Sequence, residues 1–416
     1  MRRSILTVLA VGATTFALAA CSSGSSGSGE TATSAPTSAA PKLTGSLTVW
    51  VDETRIDVFK QLGAEYQQKT GVTLNVVQKP SGDIRADFVK QEPTGQGPDI
   101  IVTAHDAIGN LVTNGTIQPV QLGDKTKDFS QVSISAFTYD GQVWGVPYAI
   151  ENIALVRNNK LATSTPDTLD KLIEQGKSLK TKYSLVIQQG ANGDPYHLYP
   201  LQTSFGAPVF KQNSDGSYSD EIGMSGDAGH KFAAYLQKLG KDKVLDTAID
   251  SQKATDAFTK GQTPYIITGP WNVDAFKKAN VDFSVLPVPS AGGQDAQPFS
   301  GVQGAFISAK TQNAIVANDF VTNFLASEPV QTELYTAGQR MPALTAAADK
   351  VTDPITKGFS DAAGNSPMPS IPAMDSVWQY WGTTEAQIIS GQAKDPSAAW
   401  DTMIKNIQAA IDKSKG

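Results

Sequence analysis

Apolar positions in the early body of the chain follow two alternating periods. Residues 47–51 form a short apolar run of the kind that builds a buried strand. Ile56, Phe59, Leu62, Gly63 and Tyr66 then recur at the spacing of one helix face, and Gly71 supplies the stop. Strand runs at 72–77 and 99–102 follow, with a helical pattern over 84–91 between them. This β-α-β-α-β order predicts a parallel sheet with helices on its faces.

Residues 143–147 and 153–157 read as two strands, with the chain between them crossing from one lobe to another. A second βα series begins there. It has helices at 169–180, 196–205 and 228–239, and strands at 184–187, 264–268, 283–286 and 304–307. Beyond Asn313 the pattern is mainly helical, broken by a Pro/Ser/Gly segment at 364–372, and no internal repeat is present. The body starts near Gly45 and runs for about 370 residues, too long for a single core, so two α/β lobes are expected.

The segment ahead of the body has a different chemistry. Arg2 and Arg3 precede an apolar run over 5–19 that is too short to span a bilayer, and Leu18-Ala19-Ala20-Cys21 follows. Cys21 is the only cysteine, so it has no internal disulfide partner. The Leu-Ala-Ala-Cys run matches the lipobox of bacterial lipoproteins, which predicts residues 1–20 as a lipoprotein signal peptide and Cys21 as the lipidated residue; ordinary secretion with cleavage near Ala20 is the alternative. Residues 21–44 are rich in Ser, Gly, Thr, Ala and Pro and read as a flexible linker. The order is that of a domain held clear of the outer face of a cell membrane.

Charge and motif content narrow the function. With 40 acidic against 34 basic residues, a net charge of −6 and no basic run, the chain does not suit nucleic acid. HExxH, Walker A, GxGxxG and nucleophile-elbow patterns are all missing. The three histidines, His105, His197 and His230, offer little for a catalytic triad, and one cysteine with three histidines rules out a Cys/His metal centre. No cofactor or metal is expected. Spacing alone leaves paired carboxylates for glycoside hydrolysis open.

The residues at strand ends point to sugar recognition. A pyranose presents an apolar face ringed by hydroxyls, so its site needs aromatic platforms with carboxylates, amides and arginine at the edge. Such groups belong where strands of an α/β sheet run into loops. Strand 47–51 leads into Asp52-Glu53-Thr54-Arg55, where Asp52 or Thr54 is equally a helix-cap candidate. Strand 99–102 leads into Thr103-Ala104-His105-Asp106, where Asp106 is either a cap or a hydroxyl acceptor. Glu151 falls at the crossing between lobes. Asp194 with Pro195 has the form of a helix start, presenting Tyr196 beside it. Gly269-Pro270-Trp271 ends a strand on a large aromatic, and Trp378, Tyr380 and Trp381 crowd a late helix. Any one of these aromatics is more often core than platform. Their shared placement with the acids is what favours a site.

Taken in order, Gly97-Pro98-Asp99-Ile100-Ile101, Ala104-His105-Asp106, Val146-Pro147-Tyr148-Ala149-Ile150-Glu151, Asp194-Pro195-Tyr196, Gly269-Pro270-Trp271, Pro298-Phe299-Ser300-Gly301-Val302 and Met368-Pro369-Ser370-Ile371-Pro372 form a recognisable set. The chain over about 46–412 resembles the maltose-binding protein family of extracellular solute-binding proteins, which serve ABC importers. The resemblance implies the two-lobed periplasmic-binding-protein fold, with lobe I from 45–150 and 300–348 and lobe II from 151–299 and 349–416. Crossings fall near 149–153, 296–302 and 345–355. It makes Asp52, Glu53, Arg55, Asp106 and Glu151 hydroxyl partners, Tyr196, Trp271 and Trp378 stacking rings, and Met368 an apolar contact, with Asp194 where relatives often carry glutamate. Thr103, Ala107 and Gly382 depart from that pattern, replacing a tryptophan and two arginines. Arg340 is either a substitute donor or half of a surface ion pair. The implied protein is a monomeric, non-enzymatic capture component for an α-glucoside such as maltose or a maltodextrin, delivering it to ABC permease subunits. A surface glycosidase or lectin-like lipoprotein, and a same-fold binder of peptide or polyamine, are the alternatives.

Overall fold

A computed structural model describes residues 43–213, 217–364 and 367–414 of the chain; Cys21 and most of the linker lie outside the described residues. Two sheets organise the body. The larger has seven strands, in the order Met341–Pro342, Val146–Glu151, Gly301–Ser308, Ile100–Ala104, Ser46–Val51 and Thr73–Gln78, with Ile117–Gln118 paired beside Gly301–Ser308. The first three strands of the sequence are parallel, as the βα pattern predicts. Gly301–Ser308 then inserts antiparallel between Ile100–Ala104 and Val146–Glu151, so the sheet is mixed. The smaller sheet has four strands, in the order Phe283–Leu286, Ala154–Asn158, Tyr265–Thr268 and Val186–Ile187. Only its last pair is parallel.

Strand and helix limits agree with the periodicity where the pattern is long. The helix Ile56–Thr70 buries Phe59, Leu62, Gly63 and Tyr66 and ends on Gly71 at φ 86°. The left-handed conformation there suits glycine. The strand placed at 143–147 is displaced instead to Val146–Glu151, while Gln142–Val143 pairs with Thr138–Tyr139 in a hairpin. Proline within the strand is the reason for the misreading. Pro147 lacks a ladder N–H, and the register against Gln303 and Gly304 slips there. The freed Pro147 carbonyl is held in the same region by Gln331 Nε2 at 3.0 Å.

Each sheet is covered on both faces. Phe59, Tyr66, Phe320 and Phe324 pack one side of the larger sheet, and Trp50, Phe88, Phe137 and Phe306 the other. Tyr199, Phe232, Trp381 and Trp400 lie in the main core of the second body, with Phe258, Phe276 and Phe359 on its opposite side. Only Asn152 and Ile153 separate the larger sheet's Val146–Glu151 from the smaller sheet's Ala154–Asn158. Asn152 Nδ2 fastens this crossing to the Phe359 carbonyl at 2.9 Å. A second crossing enters Gly301–Ser308, where Ser300 bridges Pro367. A third leaves Met341–Pro342 for the helix Pro354–Asp361, which packs on the smaller sheet's strand Phe283–Leu286. Because the chain crosses between sheets within a few residues, rotation at those points can move one sheet body against the other. No helix among the described residues is long and apolar enough to cross a membrane.

Candidate functional site

The ends of the larger sheet's strands and the facing loops of the smaller sheet enclose a cavity of about 380 Å³. Its polar wall comes from the loop after Ser46–Val51. Asp52 Oδ1 accepts from Thr54 N at 2.9 Å and from Thr54 Oγ1 at 2.8 Å, folding the loop on itself. The other oxygen, Oδ2, pairs with Arg55, whose Nε donates to the Tyr148 hydroxyl. Neither Asp52 nor Thr54 caps the following helix, so the cap alternative does not hold. Arg55 is buried, and its Nη2 has no partner. Glu53 is exposed along the same wall.

Glu151, the last residue of its strand, anchors the floor. Its Oε2 accepts from Arg340 Nε at 2.5 Å and its Oε1 from Gln303 Nε2 at 2.6 Å. Arg340 Nη2 also reaches Thr54 Oγ1 at 3.3 Å. The pair is buried, with side-chain exposures of 6% and 8%, so Arg340 is not half of a surface ion pair. Burial pushes the Glu151 carboxyl up, but the charges of Arg340 and Arg55 and the donated hydrogen bonds outweigh it and hold it below the ordinary glutamate value. For Arg340, burial works against the charged form while the Glu151 carboxylate favours it; the net effect raises its pKa. Both groups are therefore ionised.

The opposite wall is aromatic. The Trp271 indole lies directly over Gly269, where a Cβ would come within 2.1 Å of the ring. Only glycine permits that approach. The His197 ring meets the indole edge-on at 5.8 Å, and Tyr196 lies 6.3 Å away at 45°. Tyr196 places its hydroxyl near Glu151, about 3.7 Å from where a Cβ on Gly301 would stand. That hydroxyl is buried without a partner. Burial first, then the carboxylates of Glu151, Asp194 and Asp106, push its pKa well above 10.0, so it is a neutral phenol.

Of the residues singled out from sequence, Asp52, Glu53, Arg55, Glu151, Trp271 and Arg340 line this cavity together. Trp378 lines an adjoining groove of about 450 Å³. Asp106 lies behind the cavity, buried, with Oδ2 on Arg85 Nη2 at 2.5 Å and Oδ1 unpartnered. It caps no helix.

Tyr196, like Asp106, is outside the cavity lining, and Asp194 and Met368 are engaged elsewhere. Asp194 is the N-cap of Pro195–Ser204; its Oδ1 accepts from His197 N at 3.1 Å and its Oδ2 from Gln188 Nε2 at 2.7 Å. His197 Nδ1 also lies 2.9 Å from Oδ2, though not aligned as a hydrogen bond. Those contacts occupy the carboxylate in positioning Gln188 and His197, which themselves line the cavity. Met368 is core, with its side chain packed beside Met374 and Trp381. Its contribution is a carbonyl that accepts from His105 Nε2 at 2.8 Å, while Val302 N donates to His105 Nδ1 at 3.1 Å.

Arg85, Gln188, His197, Ser251 and Gln303 line the cavity and were not foreseen. Arg85 sits on the helix Ile84–Gln91, where a charged residue reads as solvated surface. Gln303 is inward-facing within an apolar strand, and its alternation with Val302 and Gly304 is the one signal that marked it. The departures from the family pattern also have physical causes. Gly382 faces the Asn192 carbonyl, which would lie 2.6 Å from a Cβ, so no side chain fits. Ala107 is wholly buried in the core, whereas Thr103 lines the cavity. Among the described residues no cluster of three or more His, Cys, Asp or Glu could hold a metal ion.

A two-sheet body crossed three times by the chain, with a polar wall facing an aromatic one across a cavity, defines a solute-capturing protein. Residues 61–363 match the family described as bacterial extracellular solute-binding protein, and the chain belongs to that family. It is 27% identical to the galactooligosaccharide-binding protein of Bacillus subtilis, over 88% of this chain and 89% of that protein. It is 28% identical to the maltooligosaccharide ABC transporter solute-binding lipoprotein of Streptococcus pneumoniae, over 86% and 88% of the two chains. Among solved structures it is similar to the Thermus thermophilus maltotriose binding protein bound with maltotriose, with a TM-score of 0.81, 28% identity, and coverage of 88% of this chain and 100% of that one. Members of such a family are binding proteins, and the chain is not an enzyme.

Proposed function

We propose that the protein captures an oligosaccharide, a maltooligosaccharide above others, and presents it to an ABC importer. The observation that carries this reading is the pair of buried polar atoms without partners on residues lining the cavity, Arg55 Nη2 and His197 Nε2, with the Tyr196 hydroxyl and Asp106 Oδ1 behind them and Trp378 Nε1 at the adjoining groove. Leaving a buried polar group unpaired costs about 1–3 kcal/mol, so convergence at one cleft is explained by a ligand that supplies the partners. Donors and acceptors stand mixed beside the partly buried indoles of Trp271 and Trp378, which is the chemistry of a sugar edge and a sugar face. The names of the relatives from Bacillus, Streptococcus and Thermus support the same substrate class.

In this reading the hydroxyl-pairing groups are Asp52, Glu53, Arg55, Glu151, Arg340 and, from behind, Asp106. Trp271, Tyr196 and Trp378 provide the apolar surfaces. Lobe I would comprise 45–150 and 300–348 and lobe II 151–299 and 349–416. Ligand bound between them favours the closed arrangement because only that arrangement contacts it from both sides. A fatty-acylated Cys21 with the 22–44 spacer would hold a monomer at the outer face of the membrane beside its permease; the Streptococcus relative is itself described as a lipoprotein.

Calorimetric titration of residues 43–416 with maltose, maltotriose, a galactooligosaccharide and a tetrapeptide tests the assignment. Micromolar or tighter binding of a maltooligosaccharide, with no uptake of peptide, is expected. Binding of the galactooligosaccharide alone would overturn the maltooligosaccharide preference, and binding of peptide alone the sugar class.

A further inference from the structure

The cavity and the groove carrying Trp378 are neighbours that share Ser81 and Arg85 along their walls. Arg85 therefore stands at the junction of two chambers of about 380 and 450 Å³. Its guanidinium is held on both sides. Nη2 donates to the buried Asp106 at 2.5 Å, and Nη1 lies 3.7 Å from Asp375 Oδ1. Asp375 belongs to the turn Pro372–Ser376, whose Ala373 and Met374 pack in the core of the smaller sheet's body. Asn110 Nδ2, from the larger sheet's side, donates to the same carboxylate at 2.9 Å. Arg85 and Asn110 thus reach Asp375 on a turn that is also seated on the larger sheet's body, where Gly109 N donates to the Ser370 carbonyl at 3.1 Å, and they do so beside the wall that the inner cavity and the outer groove share.

We propose that Arg85 and Asp375 form a clasp that divides the cleft and sets the length of oligosaccharide the protein accepts. This rests on the sugar reading above. The inner chamber lies at the low end of the ~300–1,000 Å³ range of small-ligand sites, enough for a short sugar. A longer chain reaches the Trp378 platform only by passing Arg85 and breaking its contact with Asp375. The Trp378 indole, which lines that groove and is backed by Trp381 at 5.7 Å, is the group such a chain would meet; its buried Nε1 has no partner. The clasp is partly exposed, with Arg85 at 24% and Asp375 at 40%, so it is a modest barrier that a ligand can open.

The test compares wild type, Asp375→Asn and Arg85→Ala by calorimetric titration with maltose and maltohexaose. Asp375→Asn leaves the Arg85–Asp106 pair intact and so keeps the test free of folding losses. The ratio of maltohexaose to maltose affinity is expected to rise about fivefold in both variants, the scale of one exposed ion pair. An equal change for both sugars, or none, would show a clasp that merely steadies closure and overturns the proposal. The two readings fail separately. Wild type that binds neither maltose nor maltohexaose refutes the sugar assignment, whereas wild type that binds both with a ratio unchanged in Asp375→Asn refutes the clasp alone.

Discussion

Replacing Glu151 by glutamine tests whether the floor of the cleft is an energetic unit. The substitution keeps shape and hydrogen-bonding capacity while removing the charge that balances Arg340, whose side chain is only 6% exposed. Breaking a buried pair by neutralising one partner costs about 3–5 kcal/mol, since the remaining charge has lost solvent as well as counterion. At about 2 °C per kcal/mol for a body of this size, the midpoint of thermal unfolding should fall by about 6–10 °C. Arg340→Met should cost a similar amount by stranding Glu151. The double variant removes both charges, so it should be more stable than the sum of the two losses by about 2 kcal/mol or more. The assay is thermal and urea unfolding of all four proteins at neutral pH without sugar.

Acid should act through the same group. Because the folded carboxyl is held below its reference value of 4.5, its contribution is complete above that pH and is lost as pH falls through the depressed folded value. Wild type should therefore lose more stability on acidification than Glu151→Gln. Single variants within about 1 kcal/mol of wild type, or a double variant equal to their sum within about 0.5 kcal/mol, would refute the argument.

Other consequences follow from neighbouring residues. Trp271→Ala should weaken maltotriose binding by about tenfold or more, the scale of about 1.5–3 kcal/mol for a buried apolar platform; calorimetric titration reads it. His105→Ala should cost about 1–3 kcal/mol for each of the Val302 N–H and Met368 carbonyl it strands, measured by urea unfolding. Burial depresses the His105 pKa below 6.5, so the wild type should lose this stability as pH falls through and below 6.5, and the variant should not. Gly382→Arg should supply no new donor but should destabilise or misfold the protein, because its Cβ meets the Asn192 carbonyl at 2.6 Å; a normal melting temperature with tighter sugar binding would contradict that reading.

Much of the first body was legible because its signals are local. The helix Ile56–Thr70 and the parallel strands of the larger sheet follow from apolar periodicity and glycine stops, and the loops at their ends carry Asp52, Glu53 and Arg55 into the cleft. The Gly269-Pro270-Trp271 turn was readable too, because it follows directly on the strand Tyr265–Thr268 and so places the indole where strand gives way to loop, beside the acids. What local pattern could not give was pairing at long range. Gly301–Ser308 lies about 150–200 residues from the strands it joins, and its antiparallel insertion depends on chain path rather than on its own composition.

The same division runs through the site. Sequence determined which residues stand at strand ends and which polar and aromatic types are available there. Tertiary structure decided which atoms are already occupied. Asp194 and Met368 carry the right chemistry, yet one is spent on a helix cap and the other on a core with a histidine on its carbonyl. Arg340 was ambiguous from sequence because an arginine pairs as readily in solvent as in a pocket; burial against Glu151 places it in the cleft. Arg85 carried no sequence mark at all, because its partners Asp106 and Asp375 come from distant segments that only the folded chain brings within reach.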